Sequence, residues 1–190
     1  MERMERMEPP RTSDATGAAV LPTIRDVPGF PGPGITFKDI TPLLADPATF
    51  EAAVCAMAAP FAGSADKVAG IEARGFLFGV ALAMRLGLGF VPLRKAGKLP
   101  RRTLAESYAL EYGDATLEVH QDAFGPADRV LVVDDVLATG GTAAAAVRLV
   151  RRTGASVAGF TALLSLGLCP GGPPELAGVP TRFVLPGTPE

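Results

Sequence analysis

Residues 129–142, RVLVVDDVLATGGT, constrain the fold of this chain more than any other segment. The apolar run 130–133 is typical of a strand that is buried on both faces of a parallel sheet. Asp134 and Asp135 follow at its carboxyl end, and an alanine-rich helix is predicted over 143–152, after a turn with two glycines. This order of strand, tight turn and helix predicts an α/β fold with an anion site at the turn.

The turn itself has the residues of a phosphate cradle. Backbone N–H groups and the helix dipole both favour an anion at a helix start. Gly140 and Gly141 let the backbone close around an oxyanion without Cβ clashes, and Thr139 and Thr142 add hydroxyl donors. The alternative is an ordinary surface turn with these residue types. The spacing is neither that of a Walker loop nor that of a dinucleotide-binding turn.

Two aspartates beside this turn would repel a phosphate unless a sugar lies between them, with its hydroxyls on the carboxylates. The local chemistry therefore predicts a ribose phosphate. Residues 130–142 resemble the phosphoribosyl-pyrophosphate (PRPP) signature of type I phosphoribosyltransferases. The resemblance implies that Asp134 and Asp135 hold the ribose hydroxyls. The 5′-phosphate of PRPP or AMP would be bound by Ala138, Thr139, Gly140, Gly141 and Thr142.

A second unit of the same kind precedes the first. Residues 68–71 are predicted to form a strand, 72–75 a turn, and 76–86 an apolar helix that ends at Gly87. Arg74, in the turn, is a donor suited to pyrophosphate. A cation at a helix start opposes the helix dipole, which favours an anionic ligand over an ordinary surface arginine.

Strands predicted at 68–71, 90–93, 130–133, 156–166 and 181–185 alternate with helices or loops. This alternation predicts a doubly wound, mostly parallel sheet with ligands beyond the carboxyl ends of its strands. Both predicted anion turns lie at that edge. A small hood of loops and a hairpin would cover it.

The hood is predicted from two neighbouring segments. Residues 94–102, RKAGKLPRR, contain five cations, a glycine and a proline. Such a run is usually solvated surface. Beside two anion sites it is interpreted as part of a lid, formed by residues 94–107, that closes over the ligand. A hairpin is predicted over 108–120 about Gly113, with Glu111 near its tip. From its position alone, Glu111 is equally an exposed strand carboxylate.

The amino-terminal part is predicted to contain little regular structure before Asp46. Residues 1–20 are interpreted as a poorly ordered leader, and 21–190 as one domain. Prolines and glycines in 24–44 predict a shaped loop, where Phe37 either stacks on a planar ligand or fills the core. Asp46 then caps a helix that begins at a proline and reaches about residue 59.

Composition excludes several classes of function. The 190 residues carry a net charge of −2, which gives no basic surface for nucleic acid. Two cysteines form no disulfide framework, and His120 is the only histidine, so a histidine-ligated metal centre is excluded. No apolar run reaches the roughly 18 residues of a membrane span. A reduced, cytoplasmic setting is expected.

Three further segments are similar to the adenine phosphoribosyltransferase family. They are FPGPGITFKDITPLL at 30–44, GIEARGFLFG at 70–79 and SYALEYG at 107–113. With RKAGKLP and the PRPP signature, the similarity covers roughly 24–166. It implies that adenine and PRPP give AMP and pyrophosphate in purine salvage, with Mg²⁺ held mainly by the substrate rather than by protein ligands. It also implies a homodimer.

The same resemblance implies roles for individual residues. Phe37 would lie against adenine, with Thr36 and Lys38 reading its edge and Leu166 in the rear wall of the pocket. Glu111 would handle the proton of the base and Arg74 would meet the leaving pyrophosphate. The pyrophosphate and lid contacts would come from Arg74, Arg94, Lys95, Lys98 and Tyr112.

Two departures and two alternatives accompany this interpretation. The family often has a glutamate near Leu166 and a Gly-Arg pair soon after, where this chain has Ser165-Leu166 and residues 169–172, CPGG. A transferase for another purine is disfavoured by the loop around Phe37. A PRPP-sensing regulator without catalysis is disfavoured because the chain has no helix-turn-helix pattern and keeps Arg74 and Glu111.

Overall fold

The computed structural model describes residues 12–109, 114–169 and 172–187. The helices in these ranges are α1 (Thr12–Val20), α2 (Thr41–Ala45), α3 (Pro47–Ala58), α4 (Gly75–Leu86) and α5 (Gly141–Arg152). The strands are β1 (Arg25–Pro28), β2 (Thr36–Asp39), β3 (Lys67–Ile71), β4 (Gly89–Lys95), β5 (Thr103–Ala109), β6 (Asp114–His120), β7 (Arg129–Leu137), β8 (Ser156–Ser165) and β9 (Thr181–Leu185). None of the helices in the described ranges has both the length and the apolar character to cross a bilayer.

The chain divides into two compact units, Met1–Ala56 and Met57–Glu190. In the first, β1 and β2 form an antiparallel hairpin, where the sequence predicted only a loop. The prolines and glycines responsible for that prediction lie in the connection between the strands, where Gly29 and Gly34 have positive φ. The prediction was therefore right for the connection and wrong for the short strands that flank it.

The first unit can be compared with two predictions, the leader at residues 1–20 and the helix that begins after Asp46. The predicted leader includes α1, which the sequence did not predict, and its residues 1–11 lie outside the described part. The predicted start of α3 is confirmed, because the Asp46 carboxylate accepts a hydrogen bond from the Thr49 N–H at 3.0 Å. The division into a leader and one domain stays a prediction.

The second unit contains a seven-stranded sheet in the order β5-β6-β4-β3-β7-β8-β9. Strands β4, β3, β7, β8 and β9 are parallel, while β6 pairs antiparallel with both β4 and β5. Val130–Val133 of β7 are fully buried, as expected for a strand covered on both faces. The predicted α/β class with a mostly parallel sheet is confirmed.

Helices cover the two faces of this sheet. On one face, Ala145, Ala146 and Leu149 of α5 share a hydrophobic cluster with Ala69, Ile71 and Val132 of the sheet. On the other, α4 approaches β3 so closely that a Cβ at Gly79 would lie 3.2 Å from the Gly70 Cα and 2.7 Å from the Phe90 ring. The start of α4 is thereby brought against the neighbouring strand β7.

The bounds of β4, β5 and β7 differ from the predicted ones in ways that change the interpretation of the site. β4 continues through Arg94 and Lys95, which pair with Glu118 and Leu117 of β6. β5 begins at Thr103, so the connection between β4 and β5 is 96–102 rather than the predicted lid of 94–107. The strand that pairs with these basic residues is β6 of the hairpin, and the composition of residues 94–102 does not predict this pairing.

Strand β7 also extends beyond the predicted end at Val133. Asp134 pairs with Ala162, and Val136 with Leu164, so both aspartates belong to the strand itself. The chain leaves the sheet only after Leu137. Because the aspartates lie within a central strand, their positions are set by sheet pairing rather than by the turn.

Candidate active site

A cavity of about 390 Å³ opens where β3 and β7 end and where α4 and α5 begin. Its walls come from five places along the chain. These are the turn Glu72–Arg74, Lys95 of β4, Tyr108 of β5, residues 134–137 of β7, and residues 138–143 except Gly141. The cavity therefore lies at the carboxyl ends of parallel strands, at the edge where the sequence predicted ligands.

The predicted phosphate turn forms one wall of this cavity. Ala138, Thr139, Gly140 and Thr142 line it, and Gly141 is the first residue of α5. Gly140 has φ of 88°, and a Cβ there would lie 2.9 Å from the Pro173 ring, so only glycine fits. The first turn of α5 contains no acidic residue. An anion that binds at this helix start is therefore attracted by the helix dipole and is not repelled by a carboxylate of the same turn.

The aspartate pair lines the cavity and is buried, with Asp134 9% and Asp135 4% exposed. The Asp134 Oδ1 accepts a hydrogen bond from the Asp135 N–H at 2.9 Å. Burial raises the pKa of the Asp134 carboxyl well above its ordinary value, and the neighbouring Asp135 carboxylate raises it further. The site therefore holds Asp134 in a protonated form to higher pH than an exposed aspartate.

Gly75, the first residue of α4, leaves room for this pair. A Cβ at Gly75 would lie 2.9 Å from both the Asp134 Oδ1 and the Val133 carbonyl oxygen. The start of α4 therefore contacts the backbone of β7 directly. The peptide bond between Glu72 and Ala73, in the turn before this helix, is cis.

Arg74 is bound to the aspartate pair. Its Nε lies 2.5 Å from the Asp135 Oδ2, and its side chain is 40% exposed while that of Asp135 is 6% exposed. The sequence predicted Asp135 as a ribose ligand and Arg74 as a pyrophosphate ligand. The structure brings both into one cavity and also pairs them with each other, which the sequence did not predict.

Glu72 organises the basic end of β4. Its carboxylate accepts hydrogen bonds from the Arg94 Nε at 3.1 Å and from the Lys95 N–H at 2.8 Å. The hydrogen bond from Arg94 lowers the pKa of Glu72 below its ordinary value. Arg94 also donates to the Lys98 carbonyl at 3.2 Å. Of the predicted lid cations, Lys95 lines the cavity, while Arg94 and Lys98 are not among its lining residues.

None of the predicted adenine residues is among the residues that line this cavity. Thr36, Phe37 and Lys38 form part of β2 in the first unit, where the rings of Phe37 and Phe30 meet edge to face at 5.1 Å. Leu166 follows β8 and donates its N–H to the Leu137 carbonyl at 2.9 Å. The predicted Glu111 and Tyr112 lie outside the described residues.

Sequence reasoning assigned no role to six residues that line the cavity, and two of these, Glu72 and Tyr108, have polar side chains. Both lie in segments that were singled out, GIEARG and SYALEYG, but were given no role there. Tyr108 pairs with Ala115 of β6, a register that the predicted hairpin boundaries did not indicate. Across the described ranges, no three side chains among His, Cys, Asp and Glu are grouped in a way that could hold a metal ion.

The sheet, the buried aspartates and the glycine turn together define a type I phosphoribosyltransferase fold. The family model of the phosphoribosyl transferase domain matches residues 44–170. Relatives narrow this class further. An adenine phosphoribosyltransferase from Nocardioides is 63% identical over 156 residues, which cover 80% of this chain and 84% of the relative. The chain belongs to the adenine phosphoribosyltransferase family.

Solved structures are similar over nearly the whole chain. Adenine phosphoribosyltransferase from Rhodothermus marinus is 51% identical with a TM-score of 0.84, covering 90% of this chain and 98% of that one. The Saccharomyces cerevisiae enzyme, complexed with an iminoaltritol bisphosphate and adenine, is 34% identical with a TM-score of 0.83 and covers 90% and 99%. These similarities confirm the predicted fold and family.

Proposed function

We propose that this cavity binds PRPP and that the chain transfers the 5-phosphoribosyl group to adenine, giving AMP and pyrophosphate. The observation that carries the proposal is the common opening of three features into one cavity. These are the glycine turn at the start of α5, the buried aspartates of β7 and the guanidinium of Arg74. Their order matches the order of phosphate, ribose and pyrophosphate along PRPP.

The 5′-phosphate binds at the start of α5. The N–H groups of the first helical turn have no acceptor within the helix, and the helix dipole favours an anion there. Thr139 and Thr142 line the same wall and supply hydroxyl donors. Gly140, in its left-handed conformation, lets the backbone turn from β7 into this position.

The ribose binds between the phosphate turn and the Glu72–Arg74 turn before α4. Asp134 and Asp135 accept hydrogen bonds from its 2- and 3-hydroxyls, which explains why two acids lie next to a phosphate site. A carboxylate in a buried site is stabilised by such donors, since water has been removed from it. Asp135, whose Oδ2 is paired with Arg74, exchanges this partner for the ribose in the proposed complex.

The pyrophosphate leaves toward the Glu72–Arg74 turn and the end of β4. As the C1–O bond breaks, the bonding electrons go to pyrophosphate and the ribose becomes an oxocarbenium-like cation. Arg74 and Lys95 stabilise the departing charge from the cavity wall. Lys98 and Tyr112 act from the hood, and Arg94 acts from β4, where its ion pair with Glu72 holds it in place.

The base is adenine, and its site is proposed from family membership. Phe37 lies against the ring, Thr36 and Lys38 read its edge through main-chain groups, and Leu166 forms part of the rear wall. Adenine N9 attacks the ribose C1, and its proton passes to Glu111, which acts as the general base. No step requires a covalent enzyme intermediate.

The donor set of the cavity fits a Mg²⁺ ion that arrives with the substrate. Mg²⁺ prefers oxygen ligands and keeps phosphate and water oxygens in its shell, and Asp134 and Asp135 offer carboxylate oxygens beside the ribose position. When bound, the ion would neutralise charge on the leaving pyrophosphate. The hood over 96–102 and the hairpin excludes water, which otherwise competes with adenine for C1.

Two further properties are proposed from the family. The chain acts in the cytoplasm, and it acts as a homodimer. An exposed apolar stripe on α4, formed by Leu77, Val80 and Met84, supports association of two copies. Sedimentation of the purified chain tests this, and a monomer at micromolar concentration would contradict it.

A product assay tests the proposed reaction. The purified chain with PRPP and Mg²⁺ is offered adenine, hypoxanthine, guanine or xanthine, and nucleotide and pyrophosphate are measured. We expect AMP and pyrophosphate in equal amounts, with the 6-oxopurines turned over far more slowly. Equal or better use of a 6-oxopurine would reject adenine as the substrate, and PRPP-dependent DNA binding without any product would favour a regulator.

A further inference from the structure

Two glutamates and two arginines form an ion-pair cluster between β5, α5 and the 3-10 turn Pro174–Leu176. We name it the Glu106 cluster; its members are Glu106, Arg148, Arg152 and Glu175. The Glu106 carboxylate lies 3.1 Å from the Arg148 Nε and 2.7 Å from the Arg152 Nη1. Arg148 also contacts the Glu175 carboxylate through its Nη1. The charges within the cluster balance.

The two arginines also hold the backbone of β5 on either side of Glu106. Arg152 donates to the Ala105 carbonyl at 2.6 Å, and Arg148 to the Ser107 carbonyl at 3.4 Å. The Glu106 side chain is only 17% exposed. Hydrogen bonds from Arg152 and Arg148 lower the pKa of Glu106, so that it is charged at neutral pH. Isolated ion pairs on a surface contribute little to stability. In this cluster, however, Glu106 and Arg148 each have two partners, and the network joins three elements.

The cluster connects the hood to the phosphate turn. Tyr108 follows Glu106 by two residues, on the same face of β5, and lines the cavity. Arg148 belongs to α5, which begins at the phosphate turn. Glu175 belongs to the segment that includes Pro173, whose ring lies 2.9 Å from the position that a Cβ at Gly140 would take. One arginine therefore contacts the strand that carries the hood and the segment that backs the cradle.

We propose that Glu106 and Arg148 are positioning residues that hold the β5–β6 hairpin at a fixed distance from the phosphate turn during phosphoribosyl transfer. The inference rests on the proposed function, since the hairpin carries Glu111 and the turn carries the phosphate. Neither residue touches the substrate in this role. Misplacing a reacting group by about 1 Å costs up to about 10²-fold in rate, so a shifted hairpin would be visible in turnover.

The test replaces Glu106 by glutamine, which keeps the shape and removes the charge. The matched control is Asp66→Asn, which removes another arginine–carboxylate pair, with Arg129 at 2.8 Å, at the opposite end of β7 from the cavity. For Glu106→Gln we expect kcat to fall by about tenfold to a hundredfold. KM for PRPP should stay within about threefold of the parent value, because the cradle itself is unchanged.

Two measurements separate positioning from a general loss of stability. Amide hydrogen exchange should show faster exchange in β5 for Glu106→Gln and parent-like exchange there for Asp66→Asn. Arg148→Gln should give a similar loss of kcat. The double variant should lose little more than the larger single loss, because the two residues act through one contact.

Three outcomes would overturn the inference. The first is a parent-like kcat for Glu106→Gln. The second is a fall in kcat accompanied by a proportional rise in KM and by exchange that increases throughout the molecule, as a merely structural role predicts. The third is unchanged exchange in β5. If the parent chain makes no AMP, the proposed function fails, and exchange in β5 still decides whether Glu106 and Arg148 fix the hairpin.

Discussion

Arg74 and Asp135, 61 positions apart in the chain, form an ion pair with an Nε–Oδ2 distance of 2.5 Å. In the proposed reaction neither residue keeps this partner. Asp135 turns to the ribose hydroxyls, and Arg74 turns to the pyrophosphate. PRPP binding is therefore an exchange of partners in which one internal pair is replaced by two contacts to the substrate.

Asp135→Asn should separate these two contacts. The amide is a weaker acceptor for the ribose hydroxyls, so we expect PRPP affinity to fall by about tenfold or more, the size of a lost hydrogen bond to a charged group. Affinity for inorganic pyrophosphate should rise, because the Asp135 carboxylate no longer competes for Arg74. Calorimetry with each ligand measures both, with Asp66→Asn as control. Unchanged PRPP affinity would contradict the ribose role.

Asp134→Asn should gain stability relative to the parent as the pH rises, while its affinity for PRPP should be lower than that of the parent. Burial raises the pKa of its carboxyl, so above the unfolded value of 3.8 the folded state retains a proton that the unfolded state has released. Stability therefore falls as the pH rises from the unfolded to the folded pKa. Asp134→Asn cannot lose this proton, so its stability relative to the parent should be greater at neutral pH than at about pH 4, close to the unfolded pKa. Its PRPP affinity should decrease.

Urea unfolding at the two pH values measures this effect, and Asp66→Asn gives a control of opposite sign. The hydrogen bond from Arg129 lowers the pKa of Asp66 to about 2, so that this carboxylate stabilises the fold above 3.8 and loses its effect as the pH falls. Asp66→Asn should therefore lose stability relative to the parent near neutral pH. A parent-like pH dependence for Asp134→Asn would show that Asp134 is ionised in the folded state.

The sequence predicted the elements that have strong local signals. The apolar run of β7, the glycine at the end of α4 and the Asp46 cap all act within a few residues, and the structure confirms each. It also predicted which two turns supply the cavity, because parallel strands bring their carboxyl ends together.

Contacts between distant segments were not predictable in this way. Arg94 lies in a strand that pairs with β6, where the sequence predicted a lid, and its ion pair with Glu72 was not predicted. The Glu106 cluster joins segments with no shared pattern in sequence. Such partners follow from tertiary packing, which local composition does not encode.

Gly75→Ala should damage the site through packing alone. A Cβ at this position would lie 2.9 Å from the Asp134 Oδ1 and from the Val133 carbonyl oxygen, so α4 or β7 must shift. Overpacking of this kind costs about 1–3 kcal/mol of stability. PRPP affinity should fall as well, because Asp134 is displaced.

Gly89→Ala is the matched control, since a Cβ at Gly89 meets nothing within 4 Å. Its stability should stay within about 0.5 kcal/mol of the parent, as for most surface changes. Denaturant unfolding and calorimetry with PRPP measure both variants. If Gly75→Ala behaved like Gly89→Ala, the close approach of α4 to β7 would not restrict this site.

Glu111→Ala tests the proposed general base. If Glu111 accepts the proton of adenine as the new C1–N9 bond forms, its loss should lower kcat by about 10²–10⁴-fold, the usual effect of losing a general acid or base. PRPP affinity should be unchanged, because the cradle and the aspartates are intact. Asp114→Ala, an exposed carboxylate at the start of β6, is the control and should keep parent-like turnover. A loss of kcat under about threefold would assign proton removal to solvent or to another residue, because a positioned base contributes far more than that.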